Sequence, residues 1–449
     1  PFYRAVGEIP RKRHTQFRRP DGALYAEELM GVEGFSSDSA LLYHHGMPTA
    51  IVDSAEWEPP GPIGTAVANR PLKPRHFLTH KLDGAGPAGR GPDGRGPDAV
   101  TGRHLLLGNG DVRLSYVAAT EASPLYRNAI GDECVYVESG SGVVETSFGA
   151  LEVGQGDYVV LPTSTIHRWV PSAPDTEPLR LFVIEATGHI GPPKRYLSAK
   201  GQFLESSPYC ERDLRGPSEP LTAGGEDVEV LVRHRAGGTK LTYATHPFDV
   251  VGWDGCLYPY AFNVADFEPL TGRVHQPPPV HQTFEGPNFV ICSFVPRKVD
   301  YHPLSIPVPY NHHNVDSDEV LFYTGGNYEA RRGSGIGQGA ISLHPSGLTH
   351  GPQPGAAGRA LGGELLGGTA GVGGLVRALG PPVSALAGGC GGVPGAGAGA
   401  SPASLLLEGL GLLVLLTGYG ATALCTLVGM RHRRLSGLWQ VLPLIPLYW

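Results

Sequence analysis

Glu133-Cys134-Val135-Tyr136-Val137 leads into Gly140-Ser141-Gly142, Val143-Val144-Glu145-Thr146, Gly154-Gln155-Gly156-Asp157 and Tyr158-Val159-Val160-Leu161-Pro162. Short β-branched and aromatic runs divided by glycine-bearing turns read as strands of an antiparallel sandwich or barrel. The pattern extends from Val112 to Ile184. It recurs in Asn288-Phe289-Val290-Ile291-Cys292-Ser293-Phe294, Glu319-Val320-Leu321-Phe322-Tyr323 and Gly339-Ala340-Ile341-Ser342-Leu343-His344-Pro345. The expectation is a mainly β chain with two jelly-roll β-barrel domains.

The two halves differ in chemistry. The jelly-roll texture is that of a cupin, a fold that presents clustered His and Glu ligands. In the first half that place reads Glu133-Cys134-Val135-Tyr136, with His167 left at the far strand, so no metal is expected there and His167 is read as a hydrogen-bonded strand-end histidine. The second half contains Tyr310-Asn311-His312-His313-Asn314-Val315-Asp316-Ser317-Asp318-Glu319 and Leu343-His344-Pro345-Ser346-Gly347-Leu348-Thr349-His350-Gly351-Pro352. A His, a Glu six positions on (319 − 313) and a distant His are the donor set of a 2-His-1-carboxylate triad, which leaves iron positions open for substrate and O2. The neighbouring His312 competes for the place, but six positions beyond it (318 − 312) stands Asp318. A solvent-facing loop is the competing reading for His313, because Pro307, Pro309 and Asn311 mark an irregular approach. Glu319 runs directly into an apolar strand, and a buried carboxylate needs a partner.

Composition narrows the function classes. A formal charge of −7, from 35 Lys+Arg against 42 Asp+Glu, offers no broad basic surface for nucleic acid. Six scattered cysteines without a C-x-x-C pair suggest neither zinc nor a disulfide framework, and point to a reducing cytoplasm. The start, Pro1-Phe2-Tyr3-Arg4 and then Arg11-Lys12-Arg13, lacks the apolar run of a signal peptide. Glycine (65) and proline (42) are abundant, but much of the excess sits in residues 84–98 and after Pro354.

In ordered blocks the chain resembles the homogentisate 1,2-dioxygenase family. These blocks are Tyr3-Arg4-Ala5-Val6-Gly7-Glu8-Ile9-Pro10-Arg11-Lys12-Arg13-His14, Glu27-Glu28-Leu29-Met30-Gly31, Trp253-Asp254-Gly255, Phe289 to Arg297, the His313/Glu319 run, Gly325-Gly326-Asn327-Tyr328-Glu329-Ala330-Arg331, and Leu343-His344 to Pro352. The resemblance covers roughly four-fifths of the chain. It implies Fe(II) held by His313, Glu319 and His350, a catalytic acid/base at His275, and substrate contacts from Tyr328 and His350. His281 is the alternative acid/base, since it flanks the same Gln276-Pro277-Pro278-Pro279-Val280 run. The implied reaction opens homogentisate with O2 to maleylacetoacetate, in tyrosine and phenylalanine breakdown, within a homo-oligomer (trimer or hexamer). Arg297, Arg331 and Tyr323 are candidates for the substrate's acetate group, and His344 is read as either a structural or a substrate-contacting residue. Alternatives are a dioxygenase for another hydroquinone such as gentisate, or an inactive cupin binding protein.

These readings divide the chain into an N-terminal β-rich segment (1–110) with a flexible insertion at 84–98, a metal-free cupin-like domain (111–190), a bridge (191–260), a metal-binding cupin (261–355) and a Gly/Ala/Leu-rich tail (356–449). The tail resembles nothing in the family, and a shifted reading frame in GC-rich DNA is the expected origin. Gly409 to Met430 gives twenty-two uncharged residues (430 − 409 + 1) before Arg431-His432-Arg433-Arg434, a weak candidate for a membrane span. Apart from that tail, no membrane contact is expected.

Overall fold

The computed structural model describes residues 2–60, 69, 71–82, 97–173, 176–271, 281–297, 300–325 and 334–361, with the backbone of strands Ala66–Val67, Gly373–Ala378 and Ser384–Leu386. Pro1–Gly388 form one compact unit and Gly389–Trp449 a second, which lies outside the described residues. The candidate span at 409–430 and the insertion at 84–96 also fall outside them. Among the described residues no helix is long and apolar enough to cross a membrane.

The expected strands are present. Glu133–Ser139 lies between Asp157–Leu161 and Leu179–Ala186, and the latter pairs antiparallel with Val112–Ala119 through eight consecutive residues. They form the centre of a nine-stranded sheet. Side chains alternate across a strand, and here both faces are buried. Val135, Val137, Val159, Leu161, Leu181 and Val183 enter one core, shared with Val144, Leu151, Val153 and Trp169 of a seven-stranded sheet. Cys134, Tyr136, Tyr158, Val160, Phe182 and Ile184 enter the other. That second core also takes Phe284, Ile291, Val320, Phe322 and Ile341 from a six-stranded sheet, and Leu42 and Trp253 from a four-stranded one. Burial on both faces explains why these strands read as unbroken apolar runs.

The cupin-type architecture is thus built from open sheets, whereas closed barrels were expected. A barrel strand would turn one face to its own lumen and the other outward; the nine-stranded sheet is instead a partition serving two cores. The bridge is also absorbed into the sheets. Val228–His234 and Gly237–Tyr243 extend the seven-stranded sheet, and Val250–Gly255 joins Arg4–Gly7 and Ser39–His44 in the four-stranded one.

The six-stranded sheet runs Gln282–Gly286, Phe289–Ser293, Gly373–Ala378, Asp318–Tyr323, Ala340–His344, Arg75–Leu78. Its Phe322 stacks on Phe182 at 4.7 Å and meets Tyr116 and Tyr136 edge-on. The sheet that carries the candidate ligands is therefore anchored on the partition. One of its inner strands, Gly373–Ala378, comes from the tail set apart in the sequence reading, and it pairs with both Phe289–Ser293 and Asp318–Tyr323.

Candidate metal centre

Glu319 is the second residue of Asp318–Tyr323, and its neighbour across the ladder is His344. Only 6% of Glu319 is exposed. Its Oε2 lies 2.7 Å from His350 Nε2 and 3.3 Å from His344 Nδ1. Burial alone would push this carboxyl up, but the bonds from His344 and His350 outweigh it and hold the group well below the usual carboxylate range. Glu319 is therefore a buried anion.

His350 reaches this carboxylate from a turn. Its backbone exchanges both hydrogen bonds with His312, N to O at 2.8 Å in each direction, so the two side chains share a face and their rings stand 4.5 Å apart. Gly351 makes the approach feasible, since a Cβ there would sit 2.2 Å from Asn311 Oδ1 and 2.9 Å from its Cα. One ligand atom each from His312, Glu319 and His350 lies within 4.8 Å of the others.

The tautomers suit a cation. His312 Nδ1 is 3.0 Å from Tyr310 O, and His350 Nδ1 is 3.1 Å from Leu348 O. A carbonyl only accepts, so each Nδ1 carries a proton; His312 Nε2 then offers its lone pair, and His350 Nε2 would offer its own once it gives up the proton it donates to Glu319. Two imidazole nitrogens and one carboxylate are the donors that suit a divalent first-row metal such as iron.

This corrects the expected set in one member. The histidine brought to Glu319 and His350 is His312, not His313. Neighbouring residues of an extended segment point oppositely; both histidines are exposed, but the His313 ring turns to Thr349, with Nδ1 3.4 Å from Oγ1. Spacing could not separate the doublet; the signal is the backbone bridge to His350, which only the fold reveals. Asp318, the residue that weighed against His312, binds Ser346 N at 2.8 Å and shapes the turn before His350.

His344, expected to be structural or substrate-contacting, sits beside Glu319. Its Nε2 is 3.0 Å from Ser342 Oγ, which in turn is 3.3 Å from the Tyr323 hydroxyl. A buried polar chain thus runs from Tyr323 to Glu319 along paired strands. The expected His275 and Tyr328, and Arg331, lie outside the described residues. His281, the alternative acid/base, is buried; Arg297 donates to its Nε2 at 2.9 Å. Burial, reinforced by Arg297, pushes His281 down to about 3, so it stays neutral. Arg297 also donates to Leu270 O at 2.9 Å.

No protein-family model matches the chain. A candidate dioxygenase of Saccharolobus solfataricus is 39% identical over 357 residues, 79% of this chain and 88% of that protein. Homogentisate 1,2-dioxygenases of Emericella nidulans and Rhodopseudomonas palustris are 28% and 29% identical, each over 56% of this chain and over 59% and 55% of their own lengths. The chain therefore aligns with little more than half of those two relatives. Among solved structures, a cupin 2 conserved barrel protein of Leptotrichia buccalis matches 63% of this chain and 88% of its own at 10% identity and a TM-score of 0.26. The Ylba protein of E. coli matches 74% and 97% at 8% identity and a TM-score of 0.30.

Proposed function

The chain belongs to the homogentisate 1,2-dioxygenase family and is a dioxygenase, and from that premise we propose that it opens the ring of homogentisate with O2 to give maleylacetoacetate. One ring C–C bond breaks and both atoms of O2 enter the product. The observation that supports this reading is the convergence of His312, Glu319 and His350, with both Nδ1 protons committed to backbone carbonyls. These three would hold Fe(II). When bound, Fe(II) supplies the one-electron chemistry that O2 needs before it reacts with an aromatic ring.

The remaining roles belong to the chain's own groups. His344 holds the same Glu319 oxygen that His350 contacts, and Ser342 holds His344. His275 is the proposed proton acceptor for the substrate phenol, and Tyr328 and His350 its proposed contacts. Free thiols at Cys134, Cys210 and Cys256, among the described residues, support a reducing cytoplasm. Exposed Tyr301, Leu304, Ile306, Tyr310 and Val315, on the stretch leading to the site, support the homo-oligomer that family resemblance implies.

The test loads the full chain anaerobically with Fe(II), adds homogentisate or gentisate with O2, and follows the ring-opened product by absorbance. Product from homogentisate is expected at a kcat/KM about 10- to 100-fold above that for gentisate, because gentisate is one methylene shorter and a single methylene discriminates by about that factor. Preference for gentisate would overturn the substrate assignment. No product from an iron-loaded, folded chain would favour an inactive binding protein.

A further inference from the structure

Away from this centre, the core between the seven- and nine-stranded sheets holds a second set of ligand-type side chains around a guanidinium. Tyr126 and Asn128 stand two apart on Leu125–Asn128 and share a face, and His167 pairs directly with Tyr126 across the ladder. Glu133 approaches from the first position of Glu133–Ser139 in the other sheet. All four are at most 4% exposed.

Arg103 occupies the middle. Its Nη1 and Nη2 reach the two Glu133 oxygens at 3.0 and 2.9 Å, Nη1 stands 3.3 Å from Glu185, and Nε donates to Ala99 O at 2.9 Å. The guanidinium carbon lies 5.3 Å from the centre of the Tyr126 ring. Tyr126 Oη and Asn128 Nδ2 each donate to Glu133 Oε1, at 3.1 and 3.0 Å.

His167 is arranged like the histidines of the metal centre. Its Nδ1 is 3.0 Å from the carbonyl of Thr165, two residues back, as His312 Nδ1 is from Tyr310 and His350 Nδ1 from Leu348. The proton is thereby placed on Nδ1 and the lone pair on Nε2. That Nε2 is buried and has no hydrogen-bond partner among the described residues. An unmet buried acceptor is costly, and a metal cation would satisfy it.

We propose that Arg103 is a built-in cation occupying a divalent-metal site formed by Glu133, His167 and the Tyr126 hydroxyl, and that its guanidinium keeps metal out. Removing it leaves the buried Glu133 carboxylate without its cation, in the same core as the His167 lone pair that already has no partner among the described residues. Glu185 is not stranded by that change, because Arg233 Nη1 stays 2.6 Å from it. The site is independent of the Glu319 centre.

Zn2+ uptake tests this, counted per chain by elemental analysis after gel filtration. Arg103→Ala is expected to take up one equivalent more than the parent, and to lose it again in Arg103→Ala/His167→Leu. Arg103→Lys, which keeps a cation, is expected to match the parent. Because the reading is a difference, a parent that binds nothing at Glu319 would fail the proposed function without touching this proposal. If Arg103→Ala is unfolded without metal, Zn2+ should restore its near-UV circular dichroism. The proposal is overturned if folded Arg103→Ala gains no equivalent, if the gain survives His167→Leu, or if an unfolded Arg103→Ala ignores Zn2+.

Discussion

The backbone of His312 exchanges both hydrogen bonds with His350, whereas His313 faces away and its ring reaches only Thr349. Two adjacent histidines therefore have opposite fates, which no count of intervening residues could assign. Glu319 and His350 were legible, one because it runs into an apolar strand, the other because Gly351 and Pro352 fold the turn around it. His344 was not, since its role depends on lying opposite Glu319 in a ladder. Removing a group that orients a ligand typically costs about 10- to 100-fold in metal affinity. His344→Ala should therefore weaken Fe(II) binding by about that factor in a competition assay with a chelator, while Ser342→Ala does less. An affinity equal to the parent's in His344→Ala would remove it from the account. Gly351→Ala should lower activity while the chain stays folded, because the added methyl must push Asn311 and with it the His312 bridge. Parent-like activity would mean that the bridge yields without cost.

At the scale of elements, the nine-stranded partition was half legible. Cys134-Val135-Tyr136-Val137 and Leu181-Phe182-Val183-Ile184 announce buried strands, but not that alternate residues serve different cores. Phe322 ties the ligand sheet to the partition, so Phe322→Ala should destabilise the fold by about 3–5 kcal/mol, measured by denaturant unfolding. A loss below about 1 kcal/mol would show that the ligand sheet does not depend on this anchor. A second fastening joins Ser39–His44 to its neighbours. His44 Nδ1 is 2.6 Å from Asp249 and Nε2 is 3.0 Å from Glu28. Burial would lower this imidazole, but the two carboxylates dominate and push it up to about 9. A raised folded pKa means stability that is fully present below the unfolded value of about 6.5 and lost as pH climbs through about 9. Between those values the thermal midpoint of the parent should fall relative to that of His44→Gln. Parallel curves across that window would deny His44 its charge.

For the whole molecule, the cupin type could be read from turn spacing and the family from its ordered motifs, while the sharing of one core by different sheets could not. The tail is the clearest case. Its composition set it apart at residue 356, yet Gly373–Ala378 lies between Phe289–Ser293 and Asp318–Tyr323, because a sheet edge accepts any extended backbone that meets its hydrogen bonds. Truncation after Leu361 should abolish activity, since it removes an inner strand beside Glu319, and truncation after Gly388 should retain it. Full activity of the shorter chain would show that strand to be dispensable. The central claim concerns which three side chains hold the metal, and iron per chain in His312→Ala and His313→Ala tests it most directly. The account predicts that the His312 variant loses its iron and the His313 variant keeps an equivalent close to the parent's; the reverse pattern would contradict it.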